Sequence, residues 1–166
     1  MINNKHNIEF YTSYYGNLKN LLSNGIIPIV ISTSHPKISD LKYICKELSP
    51  GWELINDYKL DIKNNIDPTI RYTKNYIEKL NKFDISDWIR IYNWITGICE
   101  TNNLYKVALM CYEKPGDFCH RHILAKYINR HFIKYIAPGN IKINNNKLVK
   151  YGITEFNYYK TSKELF

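Results

Sequence analysis

The stretch "VALMCYEKPGDFCHRHILAKYI", Val107 to Ile128, decides the fold class. It opens with an apolar run too short for a helix and bounded by a Lys114-Pro115-Gly116-Asp117 turn, the signature of a strand buried on both faces. Apolar residues then return at helical spacing, so a helix begins near Phe118 and carries the triplet Cys119-His120-Arg121 in its first turn. Strand, tight turn and helix make an α/β unit. In open parallel sheets ligands bind beyond the carboxyl ends of the strands, which is where this turn must lie.

Working outward, "IEFYTSYYG" (Ile8 to Gly16) predicts a first strand, "NLKNLLSNG" a short helix closed by Gly25, and "IIPIVIST" a second buried strand. Two strands joined by a helical crossover imply a parallel pair. Residues 34 to 67 are punctuated by "SHP", "SPGW" and "NNIDP" and read mostly as loop, with an amphipathic stretch from Leu41 to Leu48 as the one helix candidate. "DPTIRYTKNYIEKLNKF" predicts a helix with Asp67 as N-cap and Pro68 at the first position, its inner face formed by Ile70, Ile77 and Leu80 with Tyr76 beside it. "DISDWIRIYNWITGICETNN" predicts another, with Trp88, Ile91, Ile95 and Ile98 inward and Asn102-Asn103 at its end. The helix from Cys119 runs to Ile136, where "APGN" stops it. Beyond Gly139 the tail offers only the weak strand "KLVKYGI". The fold class expected is α/β, a small three-layer sandwich with a mainly parallel sheet, forming a single domain over residues 1–166.

Composition bounds the function loosely. A formal net charge of +8 and a pI near 9.2 fit a polyanionic partner, but the lysines are dispersed from Lys5 to Lys163, and abundant Ile, Asn, Lys and Tyr fit a simple compositional bias equally well. Cys45, Cys99, Cys111 and Cys119 form no CxxC pair, and no secretory leader pattern opens the chain, which together point to a reduced, cytoplasmic setting. The longest aliphatic runs are far short of the roughly 20 residues that cross a bilayer. No GxxxxGK or GxGxxG motif is present, which removes the usual grounds for a P-loop or dinucleotide fold.

Several chemistries compete at the triplet. A helix start with unpaired N–H groups attracts an anion, and Arg121 adds a fork suited to phosphate; alternatively Asp117 caps the helix and Arg121 pairs with Glu113. Cys119 sits where a thiol becomes acidic and nucleophilic, or is simply a small buried residue. A phosphatase-type loop separates its cysteine and arginine by five residues, whereas here nine residues separate Cys111 from Arg121 and one separates Cys119 from it. That spacing does not fit. Zinc ligation by Cys111, Cys119, His120 and His122 matches no paired structural site, and neighbouring helical residues point apart, so no metal is expected. The other strand ends contribute Thr12 and Ser13, and Ser32 with His35, either as ordinary turn chemistry or as a converging ligand site. Tyr58, Lys59, Tyr72 and Tyr76 supply an aromatic and basic wall for stacking bases, or are packing residues.

"FYTSYYGNL", "PIVISTSHP", "LSPGWELINDYK" and above all "ALMCYEKPGDFCHRHILAKYI" resemble the bacterial and phage proteins grouped as domain of unknown function 488, over roughly Ile8 to Ile136. The family's features are a strand ending in a glutamate, carried here by Glu113, and a Cys-His-Arg triplet, carried by Cys119, His120 and Arg121. The resemblance implies a small three-layer α/β domain and a functional triplet, but supplies no reaction. The expectation is an enzyme acting on a phosphate-bearing ligand, a nucleotide or a base in nucleic acid. Glu113 or His120 would move a proton, Cys119 would act as nucleophile or shape the site, and Arg121 would hold the anion. A non-catalytic nucleic-acid-binding module and a structural or interaction protein are the rival classes. The sequence leaves the cofactor unknown.

Overall fold

The computed structural model describes residues 8–132 and the strand at 153–155. Five strands, β1 (Glu9–Tyr14), β2 (Ile27–Val30), β3 (Tyr43–Ile44), β4 (Lys106–Cys111) and β5 (Ile153–Glu155), form one sheet in the order β3-β2-β4-β1-β5. Every pairing is parallel, with Tyr14 opposite Cys111 and Val30 opposite Met110. The three strands expected in one parallel sheet lie in it, but β1 and β2 do not pair with each other as the crossover suggested: β4 lies between them.

Alternation along β4 feeds two cores. Val107 and Leu109 join Ile27 and Ile29 under the helices α3 (Pro68–Leu80), α4 (Ile85–Asn102) and α5 (His120–Tyr127). Ala108 and Met110 join Val30, Leu18 and Leu21 on the opposite face, under α1 (Leu18–Ser23). Helices on both faces of a parallel sheet make the expected three-layer α/β architecture. Among the described residues no helix is long and apolar enough to cross a membrane.

The helix starts follow their sequence signals. Asp67 accepts from Thr69 N at 2.9 Å with Pro68 next to it, and Asp84 and Asp87 form a reciprocal capping box at α4. Asn103, at φ 51°, ends α4. Three expectations need correction. Residues 34–67 are not mostly loop: they hold β3, a 3-10 turn at Lys46–Leu48 and the twelve-residue α2 (Trp52–Lys63). Leu41 to Leu48 is therefore not a helix, because Tyr43 and Ile44 pair with β2. The inner face of α3 is Tyr72, Tyr76 and Leu80, leaving Ile70 75% exposed, because the helix packs one residue further round than the aliphatic spacing implies. After Tyr127 the chain widens into a π-helical turn, Ile128–Phe132; the expected continuation to Ile136 and most of "KLVKYGI" lie outside the described residues.

Candidate functional site

β4 carries Cys111 to the carboxyl edge of the sheet. The chain then turns through Pro115 and Gly116, whose φ of 93° favours glycine, and re-enters at Cys119. Cys119 is the N-cap of α5 and is extended (φ −152°, ψ 143°), whereas His120 is the first helical residue. That single change of conformation brings adjacent side chains to one centre. Cys111 Sγ lies 3.6 Å and Cys119 Sγ 3.8 Å from His120 Nδ1, and the three donor atoms fall within 4.8 Å of one another. The expectation that Cys119 and His120 point apart is thus overturned, because it assumed that both were helical. On its other side the imidazole Nε2 is 2.9 Å from the carbonyl of Ile31, just past the end of β2.

All three donors are almost completely buried. Cys111 donates to Glu113 Oε2 at 3.0 Å. The Cys119 thiol is held well below the ordinary thiol range, first by the Cys111 S–H beside it and then by His120 and Arg121, which outweigh burial. Cys111 is pushed up by the same neighbour and by burial. Burial, then the charge on Cys119, raises the Glu113 carboxyl. The centre is a pair of thiols of opposite acidity, Cys119 pushed down and Cys111 pushed up, beside a carboxyl group.

Arg121 has 0% of its surface exposed. Its Nη1 donates to the carbonyl of Glu113 at 2.7 Å and its Nη2 to that of Lys114 at 3.4 Å, so the fork holds the loop between β4 and α5. The bond to Glu113 is to its backbone rather than to its carboxylate. Asp117 is not the cap of α5, whose N-cap is Cys119.

Thr12 and Ser13 are buried within β1, where Asn17 Nδ2 donates to Ser13 Oγ at 3.1 Å. Ser32 Oγ donates to the carbonyl of Ser34 and receives the Tyr15 hydroxyl, both at 2.5 Å. The neighbouring Thr33 Oγ1 accepts from Gly51 N at 3.0 Å, tying the end of β2 to the start of α2. His35 is half-buried in the loop after β2. Tyr58 reaches over from α2, its ring parallel to Phe118 (5.7 Å, 3°) and edge-on to Tyr72 (5.5 Å, 79°). Tyr76 packs edge-on to His120 at 5.4 Å while its hydroxyl donates to the carbonyl of Leu48 at 2.5 Å. The structure therefore gathers Glu113, Cys119, His120 and Arg121, adds Cys111 and the Ile31 carbonyl, and ties Ser32 and Tyr58 into the same sheet edge.

Between α3 and α5 a cleft of about 1050 Å³ opens onto Cys119. Its charged lining comes from Lys126 and Arg130, with His122 and His131 beside them, and includes no carboxylate among the described residues. Lys126, Arg130 and His131 escaped the sequence reading, and His122 was weighed there only as a metal ligand. Their signal was present, since His122, Lys126 and Arg130 follow at intervals of four, one helical face.

No curated protein and no solved structure matches the chain. A family model does, over residues 29–131, which include Glu113 and the whole Cys119-His120-Arg121 triplet. The chain belongs to the family DUF488-N3a, described as the active DUF488-N3 subclade.

Proposed function

We propose that the protein is an enzyme acting on a phosphate-bearing ligand of the nucleotide class, with Cys119 as its nucleophile. The observation supporting this is that Cys119, at the start of α5, is one of the residues lining a large cleft whose charged residues, among those described, are all basic. Lys126 and Arg130 hold the phosphate there. Tyr58 and Phe118 offer a flat aromatic edge on which a base stacks. Cys119 Sγ attacks an electrophilic centre of the ligand; the leaving group departs with the bonding pair and takes a proton from Glu113. His120, fixed by the Ile31 carbonyl, orients the thiol. Arg121 acts as a positioning residue through the loop it holds, and Thr12, Ser13, Ser32 and His35 shape the sheet edge.

Calorimetric titration with a panel of nucleoside mono-, di- and triphosphates tests this reading. At least one member is expected to bind, to bind about ten-fold or more weakly to the Lys126→Ala/Arg130→Ala double variant, and to protect Cys119 from iodoacetamide. The reading fails if none binds or if the double variant binds as wild type does. Oligonucleotide binding that falls steeply with salt and ignores Cys119→Ser would mark a binding module instead.

A further inference from the structure

The cluster of Cys111, Cys119 and His120 has a geometry that its thiol chemistry does not require. Tetrahedral zinc at its usual bond lengths sets ligand edges of roughly 3.5 Å between sulfur and nitrogen and roughly 3.8 Å between two sulfurs. The two sulfur-to-Nδ1 distances here are 3.6 and 3.8 Å, and all three donors lie within 4.8 Å of one another. The second shell is also in place. A carbonyl only accepts, so the contact of His120 Nε2 with Ile31 O at 2.9 Å puts a proton on Nε2 and turns Nδ1 toward the sulfurs, the arrangement by which metal-binding histidines are oriented. The donors come from a strand end, a helix N-cap and the first helical residue, held by a sheet edge and by the loop that Arg121 pegs. A buried, pre-positioned pair of sulfurs and an imidazole nitrogen suit a thiolate-preferring divalent ion and suit magnesium or calcium poorly.

We propose that Cys111, Cys119 and His120 form a three-residue binding site for zinc, with a fourth vertex left for water. Glu113, with Oε2 3.0 Å from Cys111 Sγ, places a carboxylate beside the donor set. Binding of the ion stands on geometry alone. Its consequence rests on the function proposed above: an ion coordinated by Cys119 removes the nucleophile, so zinc and substrate compete for one sulfur and chelation restores the reactive thiol.

Cobalt(II), a spectroscopic probe for zinc sites, provides the test on the full-length reduced chain. One equivalent is expected to produce thiolate-to-cobalt charge-transfer absorption and the visible bands of a tetrahedral ion, both abolished by added zinc. Cys111→Ser and Cys119→Ser should each lower the charge-transfer intensity by about half, and His120→Gln should weaken binding about ten-fold or more, while Cys45→Ser and Cys99→Ser leave the spectrum unchanged. Wild type alkylated at Cys119 serves as a folded control for any variant that fails to fold; because the added group also fills the buried vertex, it should abolish the bands where Cys119→Ser only halves the charge transfer. No charge-transfer band, or one that survives loss of Cys111 and alkylation of Cys119, overturns the site. The two proposals separate cleanly. Fast iodoacetamide labelling of Cys119 without a cobalt band refutes the metal and leaves the nucleophile; a cobalt band on a chain whose metal-free form does not label does the reverse.

Discussion

Arg121 shows how far one residue's meaning depends on its surroundings. In the sequence it is a phosphate fork at a helix start; in the structure it is fully buried, with two donors on the carbonyls of Glu113 and Lys114. Lysine keeps the charge but cannot span two acceptors from one plane. Arg121→Lys is therefore expected to destabilise the fold by about 1–3 kcal/mol in urea denaturation and to slow iodoacetamide labelling of Cys119 by loosening the loop that presents it. A variant as stable as wild type would remove the loop-holding role. The residue types of the site were legible before the structure, because a strand, a turn and a helix can be read locally. Their convergence was not, since it depends on Cys119 being extended while His120 is helical, and on a carbonyl from a distant strand end.

Elements with strong local signals were legible: the Asp67-Pro68 start and the alternating four- and three-residue spacing of α4 both matched. α2 was missed because Asp61 is its only fully buried residue, and Trp52, Leu60 and Ile62 stay exposed, so no apolar stripe marks it. It begins at Gly51, which has φ 86° and ψ 161°, a backbone state open almost only to glycine, and an added Cβ would meet nothing within 4 Å. Gly51→Ala is accordingly expected to cost about 1–3 kcal/mol from backbone strain alone. Gly97, exposed within α4 and equally uncrowded, gives the opposite sign: Gly97→Ala should stabilise by up to about 1 kcal/mol. Paired denaturant midpoints check both, and equal shifts in one direction would contradict the argument from backbone conformation.

At the scale of the whole molecule, burial sets the response to alkali. Burial pushes the Cys45 and Cys99 thiols up to about 11, above the roughly 8.5 of an unfolded chain. The folded state thus holds these protons longer than the unfolded state does. Their contribution is complete below about pH 8.5 and is lost as pH rises toward 11. Denaturant midpoints should fall across that window, and the fall should shrink in Cys45→Ala/Cys99→Ala; a flat profile from pH 8 to 11 would contradict it. The α/β class and the parallel neighbours were legible because continuous apolar runs separated by helices allow little else. The central place of β4 was not, because strand order leaves no mark in local composition.

That order also governs how the chain must fold. β1 and β2 do not pair with each other: β2 has the nearby β3 on one side, but β1 waits for β4, so Glu9 finds Lys106 only after the helices α1 to α4 have been made. Contacts so distant along the chain make for slow folding, and during synthesis the first hundred residues expose unpaired strand edges. The same strand that ends in Cys111 thus joins the two halves of the sheet, and the Cys111-Cys119-His120 cluster comes together only when those halves do.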